Sequence, residues 1–375
     1  MDLFQKLEEM GHEQVVFFQH RETGLKAIVA IHNTTLGPAL GGLRMWPYAN
    51  EKEALIDVLR LSRGMTYKAA VSGLNLGGGK AVLIGNPETD KSEGLFRALG
   101  RFIGSLGGRY ITAEDVGTNV KDMDYLYQET DRVVGVHRVH GGSGDPSPFT
   151  AYGTLQGIKA CLQKRYGHDD PGKVSFAVQG VGSVGYYLTK FLSEAGAKVF
   201  VCDINATRVE AVVDEFGAEP VPMDQIYDTD AKVFSPCALG GVVNQETVPR
   251  LKCDIVAGSA NNQLESNEFG TALEERNILY APDYAINAGG LMNVAIELQG
   301  YDRDRAYRTV SSIRDIISRI FRLAERDSIP TWKAADRLAE ERIAEIAMVK
   351  MPYSKRFKDR LSGRRPQHTT AAEAE

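Results

Sequence analysis

The sequence has few cysteines, and their spacing matches no metal site. Its 375 residues include four cysteines, and none of them forms a C-x-x-C pair or a zinc-ligand spacing. We therefore expect free thiols in a reducing compartment, rather than a disulfide framework or a structural zinc. The four residues are Cys161, Cys202, Cys237 and Cys253.

Long apolar runs and a strong excess of charge are also missing. No stretch approaches the roughly 18 apolar residues that span a bilayer, and the acidic N-terminus lacks the basic segment of a signal peptide. The net charge of −5 gives no general attraction to nucleic acid. With 43% hydrophobic residues, the chain can bury a large core, which excludes disorder of the whole chain. We expect a cytoplasmic protein that binds neither membrane nor nucleic acid.

Short apolar segments alternate with amphipathic ones, which predicts an α/β fold with mostly parallel sheets. At roughly 150 residues per domain, the length favours two domains. Composition changes abruptly at Gly141–Pro148, so we expect an N-terminal α/β domain over residues 1–140 and a Rossmann-like dinucleotide-binding domain over 141–330. We also expect a helix at 331–350 to return to the first domain, and a charged, disordered tail at 355–375.

One glycine spacing is typical of a dinucleotide site. Gly180-x-Gly182-x-x-Gly185 lies between a predicted strand and a predicted helix, which is the context that this motif requires. Such glycines let the backbone approach a pyrophosphate, and the helix N-terminus supplies N–H donors. Asp203 ends the next predicted strand, where a carboxylate binds ribose hydroxyls and repels a 2′-phosphate, so NAD is favoured over NADP. The expected loop contacts are Gly180, Val181, Gly182, Ser183, Val184 and Gly185.

Two lysines and one acid accompany glycine-rich segments in the first half of the chain. Lys68 lies in GMTYKAA, Lys80 ends GLNLGGGK, and Asp115 lies in ITAEDVGT. A phosphate-binding P-loop is excluded, because Leu74 and Ala81 stand where that motif needs glycine and a hydroxyl residue. A lysine that ends a glycine-rich loop near a second cation is expected to have a lowered pKa. A cationic anchor, a tuned base and a carboxylate beside an NAD fold are the parts that amino acid oxidation requires.

These segments resemble the glutamate/leucine/phenylalanine/valine dehydrogenase family, and the leucine branch most. The resemblance covers about residues 10–350, through the motifs GPALGGLR, RGMTYK, GLNLGGGK, ITAEDVGT, QGVGSVG, PCALGG, SANNQL and APDYAINAGG. It implies a reversible reaction, in which an L-amino acid gives its α-hydride to NAD and then loses ammonia to leave a 2-oxo acid. It further implies that the first domain binds substrate and that the chain forms a homo-oligomer, an octamer.

The resemblance also implies roles for individual residues. Lys68 would bind the substrate α-carboxylate, Lys80 would polarise the carbonyl and activate water, and Asp115 would carry a proton to and from the substrate nitrogen. Gly41 and Asn262 would contact the substrate or the nicotinamide. Thr150 would help to hold the nicotinamide carboxamide. No metal is implied, and the sequence shows no metal-ligand cluster.

An aliphatic side-chain pocket is implied at the positions that match the family's substrate pocket. Glutamate-specific members carry Lys and Ser where this chain has Leu40 and Val294, and burying a γ-carboxylate without those partners is costly. Leu291 is larger than the Val typical of the leucine branch. The whole expected lining is Leu40, Ala113, Leu291 and Val294, which favours leucine, valine and isoleucine.

Two alternatives remain open at this stage. Phenylalanine and tryptophan dehydrogenases also have apolar pockets, and one methylene shifts selectivity by only about 1–3 kcal/mol. An enzyme that supplies an aromatic 2-oxo acid is therefore the first alternative. A non-catalytic NAD-binding scaffold is the remote second one, and the joint presence of Lys68, Lys80 and Asp115 argues against it.

Overall fold

Two β-sheets organise the chain in the computed structural model, which describes residues 3–349. The expected tail at 355–375 lies outside these residues. The strands of the first sheet are β1 (Gln14–His20), β2 (Leu25–Asn33), β3 (Ala39–Trp46), β4 (Gly77–Ile84) and β5 (Tyr110–Glu114). The helices of this half are α1 (Leu3–Met10), α2 (Glu51–Val71), α3 (Glu93–Ser105) and α4 (Val120–Tyr127).

The first sheet is mixed, so the expectation of mostly parallel strands is wrong there. Its strand order is β1-β2-β4-β3-β5. β2 runs antiparallel to β1 and β4, whereas β3 runs parallel to β4 and β5. The reason is local: β2 follows β1 through a four-residue connection that ends at Gly24, whose φ of 71° suits a tight turn. A connection this short allows only an antiparallel pair.

The GGGK segment is a strand rather than the glycine-rich loop suggested by the sequence. It forms the first half of β4, the central strand of the sheet. A Cβ on Gly78 would lie 2.1 Å from the backbone N of Thr66 on α2, and a Cβ on Gly79 would lie 2.7 Å from the Tyr110 ring. These glycines therefore permit close packing on both faces of the strand, not a turn. GPALGGLR likewise forms most of β3.

The second sheet confirms the expected doubly wound α/β arrangement. All its strand pairs are parallel, in the order β11-β10-β9-β6-β7-β8. The strands are β6 (Ser175–Gln179), β7 (Lys198–Cys202), β8 (Glu219–Pro220), β9 (Val233–Pro236), β10 (Ile255–Val256) and β11 (Leu279–Tyr280). The strand order reverses between β6 and β9, and in open α/β sheets a ligand crevice opens at such a point.

Nine α-helices accompany the second sheet within the described residues. They are α5 (Ser147–Tyr166), α6 (Ser183–Glu194), α7 (Ala206–Phe216), α8 (Asn267–Glu275), α9 (Asp283–Ile286), α10 (Gly289–Glu297), α11 (Arg303–Ser311), α12 (Ile313–Asp327) and α13 (Thr331–Ala347). Ser312 separates α11 from α12. In residues 3–349, no helix has both the length and the apolar character needed to cross a membrane.

The last described helix, α13, packs against α2 of the first half. Arg342 donates hydrogen bonds to the carbonyls of Ala70 at 3.0 Å and Leu74 at 2.7 Å, at the C-terminal end of α2. The Tyr67 hydroxyl donates to Glu340 Oε1 at 2.9 Å. These bonds join the end of the described chain to the helix that carries Lys68. The domain boundaries at 140 and 330 themselves stay a prediction.

Two histidines, of which His32 is buried and His12 part-buried, pack together where β2 meets α2. The rings of His12 and His32 pack edge to face, with centroids 4.8 Å apart. His12 Nε2 hydrogen-bonds Ser62 Oγ at 2.8 Å, and His32 Nδ1 hydrogen-bonds Thr66 Oγ1 at 2.8 Å. Burial lowers the pKa of both imidazoles to about 4, and in His32 the neighbouring His12 contributes further. Both rings are therefore neutral at pH values where a free histidine is protonated.

This pair predicts a loss of stability in mild acid. Between about pH 6.5 and about pH 4 the unfolded chain binds protons that the folded histidines do not, so the free energy of unfolding falls as pH is lowered. In His12→Gln we expect roughly half of the slope due to this pair to disappear, as measured by urea unfolding midpoints across that window. His140→Gln, at an exposed position, is the matched control. A wild-type slope in His12→Gln would contradict the assignment.

Candidate active site

The expected catalytic lysine and acid are in direct contact on the first sheet. Lys80 lies on β4, and Asp115 directly follows β5. Lys80 Nζ is 2.9 Å from Asp115 Oδ1, and only 5% of the lysine side chain is exposed. The structure thus joins two groups that are 35 residues apart in the sequence, in a setting that largely excludes water.

Asp115 is placed by backbone contacts as well as by its charge partners. A Cβ on Gly42 would lie 2.7 Å from the Cβ of Asp115, so only glycine lets the acid approach β3 this closely. The Asp115 N–H donates to Thr118 Oγ1 at 3.0 Å, and that hydroxyl donates to the Leu43 carbonyl at 2.8 Å. Gly42, the third glycine of GPALGGLR, therefore has a positional role.

The electrostatics of this pair favour an easily deprotonated lysine beside an ionised acid. Burial lowers the pKa of Lys80; the Asp115 charge opposes that shift, and the Arg44 charge adds to it. Burial alone would raise the pKa of Asp115, but the charges of Lys80 and Arg44 outweigh it and lower the pKa to about 2. A lysine of this kind can serve as an acid and as a base.

Lys68 connects the two halves of the chain. It lies on α2, and its Nζ donates to Asn287 Oδ1 at 2.7 Å, between α9 and α10. The Asn287 Nδ2 donates to Asn261 Oδ1 at 2.7 Å and to the Ser259 carbonyl at 3.0 Å, which fixes the amide orientation. Burial lowers the pKa of Lys68 to about 8; Asp283 opposes the shift, and Lys80 adds to it.

The four expected pocket residues gather in one apolar cluster. Leu40 comes from β3 and Ala113 from β5, whereas Leu291 and Val294 come from α10. All four are buried. Val134 belongs to the same cluster, and Met65 packs against it. The cluster therefore takes its walls from both halves of the chain, beside the helix that carries Lys68.

The glycine loop lies at the reversal of strand order in the second sheet. Gly180 has a φ of 94°, and a Cβ there would lie 2.5 Å from the Cβ of Ala238, just past β9. A Cβ on Gly185 would lie 1.9 Å from the Gly180 carbonyl oxygen. Gly182 is the N-cap of α6 and provides no side-chain cap, so the first N–H groups of Ser183 and its neighbours stay available to an anion.

Asp203 faces this loop from the end of β7. Its Oδ2 accepts from the Val181 N–H at 2.9 Å, and its Oδ1 accepts from the Asn205 N–H at 2.9 Å. Val184 lies in the first turn of α6. A close-packed glycine turn, an open helix N-terminus and a carboxylate one strand away fit a dinucleotide with its pyrophosphate at α6.

Three further residues implied by the resemblance lie on β3 (Gly41), before α8 (Asn262) and on α5 (Thr150). The Gly41 carbonyl accepts from the Tyr110 hydroxyl at 2.6 Å. Asn262 is exposed, with a φ of 51°. The Thr150 hydroxyl, in the first turn of α5, donates to the Pro146 carbonyl at 3.1 Å, which leaves its lone pairs free to accept a bond.

Several site residues were not singled out by the sequence. Arg44 and Asn287 lie inside the motifs GPALGGLR and APDYAINAGG, but nothing in one sequence shows which partner each one meets. Arg44 Nε donates to Asp115 Oδ2 at 2.9 Å. Arg44 also contacts Asp57. From the sequence alone, Asp57 would be interpreted as a solvated charge on a helix. Glu114 is part-buried near other acids, and this partial burial with the Asp145 and Asp115 charges raises its pKa to about 7.

Comparisons with known proteins identify the family of this chain. Residues 12–132 match the family described as Glu/Leu/Phe/Val dehydrogenase, dimerisation domain, and residues 141–207 and 201–350 match the Glutamate/Leucine/Phenylalanine/Valine dehydrogenase family. The chain belongs to this family. It is therefore an amino acid dehydrogenase, as the sequence predicted.

Individual family members match most of the chain. Leucine dehydrogenase of Thermoactinomyces intermedius is 58% identical, covering 92% of this chain and 94% of the relative. Leucine dehydrogenase of Geobacillus stearothermophilus is 55% identical, covering 97% of this chain and 100% of the relative. The crystal structure of L-tryptophan dehydrogenase from Nostoc punctiforme superimposes with a TM-score of 0.80 at 46% identity, covering 92% and 99% of the two chains.

No metal-binding group was found in the part of the chain that the structure describes: no three His, Cys, Asp or Glu side chains there are grouped so as to hold an ion.

Replacing the catalytic candidate gives a direct test of the site. We predict that Lys80→Ala abolishes amino acid turnover while dinucleotide binding stays within about threefold, because Lys80 lies on the first sheet and the glycine loop on the second. Turnover is measured as NADH formation, and binding as quenching of protein fluorescence. Lys52→Ala, at an exposed position on α2, is the matched control. More than about a tenth of the wild-type kcat in Lys80→Ala, roughly 1.4 kcal/mol of barrier, would exclude the assigned role.

Proposed function

We propose that this dehydrogenase catalyses the reversible, NAD-dependent oxidative deamination of leucine, valine or isoleucine to the 2-oxo acid and ammonia. The observation that carries the proposal is the contact between Lys80 and Asp115, with Lys68 and an aliphatic cluster beside it. The matches to two proteins named leucine dehydrogenase, at 55% and 58% identity, support the substrate class.

Lys68 is the proposed anchor of the substrate α-carboxylate. Its ammonium already donates to the neutral amide oxygen of Asn287, and an ammonium has three donors. A carboxylate can therefore bind to Lys68 without breaking that bond. Because burial lowers the pKa of Lys68 to about 8, an arriving carboxylate also favours the charged form of the lysine.

Lys80 and Asp115 are the proposed acid–base pair. Asp115 takes a proton from the substrate ammonium and returns it when ammonia leaves. The Gly180 loop would hold NAD, which when bound would supply the acceptor for the hydride of the substrate α-carbon. Neutral Lys80 then removes a proton from the water that adds to the resulting imine carbon, and protonated Lys80 polarises the oxygen of the 2-oxo acid. The balance is amino acid, NAD⁺ and water giving 2-oxo acid, ammonium, NADH and one proton.

Two features support the choice of cofactor and of side chain. Asp203 faces the glycine loop with a carboxylate, which suits ribose hydroxyls and repels the phosphate of NADP. The expected pocket residues are aliphatic and buried, so a substrate carboxylate would lack a partner there. The roles of Gly41, Asn262 and Thr150 follow the family resemblance and remain part of the proposal.

The proposal extends to assembly and location. Residues 1–140 would form the substrate-binding and oligomerising domain, and residues 141–330 the NAD-binding one, within a cytoplasmic homo-oligomer that is an octamer by resemblance. β1 supports association, because it is an edge strand that carries Phe17 with 57% of its surface exposed.

An aromatic substrate is the second candidate. The high structural similarity to a protein named L-tryptophan dehydrogenase favours it. Leu291 argues against it, because this residue is larger than the Val typical of the leucine branch and leaves less room in the pocket. The kcat/KM of substrates with large side chains should therefore fall more than that of the substrate valine.

A substrate panel tests the proposal. We predict that leucine, valine and isoleucine give the highest kcat/KM with NAD and that NADP works poorly. Glutamate should be at least a thousandfold worse than leucine, about 4 kcal/mol, because its γ-carboxylate is desolvated without a partner. NADH formation is the measurement. Leu40→Lys with Val294→Ser should move activity toward glutamate.

Each other result of the panel has a definite meaning. Dominant glutamate activity would contradict the pocket assignment. Dominant phenylalanine or tryptophan activity would favour the second candidate. If the protein oxidises none of the amino acids in the panel, a dinucleotide-binding scaffold would be favoured. Equal use of NADP would show that Asp203 does not face the ribose.

A further inference from the structure

One guanidinium connects the Lys80–Asp115 pair to a second carboxylate. Arg44, on β3, donates from Nε to Asp115 Oδ2 at 2.9 Å and from Nη1 to Asp57 Oδ2 at 2.9 Å. Asp57 lies on α2, and the Tyr48 hydroxyl donates to the same Oδ2 at 2.7 Å. The chain Tyr48–Asp57–Arg44–Asp115–Lys80 thus crosses from α2 over β3 to β4.

Each oxygen of the Asp115 carboxylate has its own cation. Oδ1 contacts Lys80 and Oδ2 contacts Arg44. A carboxylate held at one oxygen rotates easily about its Cβ–Cγ bond, whereas two anchors on opposite oxygens fix its plane. The side chains of Arg44 and Asp115 are each 21% exposed, so water competes only weakly for these bonds.

We propose that Arg44 is a positioning residue for amino acid oxidation: its guanidinium holds one oxygen of Asp115, and Asp57 with Tyr48 holds the guanidinium, so that the other oxygen of Asp115 is aimed at Lys80. The inference rests on the proposed function, because it gives Arg44 a task only if Asp115 carries protons there.

The geometry requires an arginine and not merely a positive charge. Nε and Nη1 point in different directions, so the planar guanidinium donates to the Asp115 and Asp57 carboxylates at the same time. A lysine at this position keeps the charge, but all of its donors are on one nitrogen. It therefore cannot reproduce the two separate donor positions, Nε and Nη1, that meet Asp115 and Asp57.

Arg44 also acts on Lys80 at a distance. Burial, which lowers the pKa of Lys80, and the Asp115 charge, which raises it, are the two largest influences. The Arg44 charge also lowers this pKa, and the Asp57 charge raises it. The other charged or titratable groups that face this network are Lys68 and Asp283, which interact with each other, and Glu114 and Tyr110, which interact with Asp115. Loss of the Arg44 charge therefore raises the pKa of Lys80, whereas loss of the Asp57 charge lowers it.

The first measurement is kcat and KM for leucine deamination in Arg44→Gln and Arg44→Lys. We expect Arg44→Gln to lower kcat about 10- to 100-fold, the scale of a charged hydrogen bond, with KM changed less than about threefold. Arg44→Lys should recover part of kcat. Arg60→Gln is the matched control, because Arg60 contacts the other oxygen of Asp57 at 3.3 Å but is 59% exposed and does not contact Asp115.

The second measurement is the pH at which kcat rises on the acid side, where Lys80 loses its proton. It should move to higher pH in Arg44→Gln and to lower pH in Asp57→Asn, and stay in place in Arg44→Lys and Arg60→Gln. A purely structural role for Arg44 would lower activity without moving this limb in opposite directions in the two variants.

Three results would overturn the inference. The first is a wild-type kcat in Arg44→Gln, together with an unchanged pH at which kcat rises on the acid side. If the wild-type enzyme oxidises leucine, this result leaves the proposed function intact. The second is wild-type kcat in Arg44→Lys, which decides the matter if Arg44→Gln does not fold. The third is absence of amino acid turnover in the wild type, which removes the proposed function as well.

Discussion

The buried contact between Lys80 and Asp115 is the constraint that the first half of the structure satisfies. Two charges leave water at low cost only when they are paired closely and given further hydrogen bonds. Close pairing here needs backbones that touch, and Gly42, Gly78 and Gly79 provide this by carrying no side chain at the crossing points of β3, β4, β5 and α2. The glycine-rich motifs of this half therefore shape a charged site and not a phosphate loop.

The second half supplies what the charged pair lacks. α10 completes the apolar cluster that starts on β3 and β5, and Asn287 reaches Lys68 across the cleft. The glycine turn after β6 lies at the reversal of strand order, where a dinucleotide fits. In the proposed reaction, the substrate and the nicotinamide would meet between the halves. α13 joins those halves through Arg342 and Glu340.

The sequence predicted the fold class and the glycine turn, because motif spacing carries that information. The family resemblance predicted the grouping of four pocket residues, which are Leu40, Ala113, Leu291 and Val294. Sequence reasoning misplaced GGGK, since a run of glycines signals a turn and a close approach equally well. Arg44, Asp57 and Asn287 were beyond its reach for a different reason. Their roles depend on partners on other elements, and a single sequence contains no record of such pairings.

The pH dependence of kcat at saturating leucine tests the central claim most directly. In the proposed mechanism Lys80 must lose its proton before it can activate water. Burial with the Arg44 charge lowers the pKa of Lys80. Activity in the deamination direction should therefore rise with a midpoint below the ordinary lysine pKa of about 10.4. A midpoint at or above that value would contradict the claim that this buried lysine is tuned to act as the base.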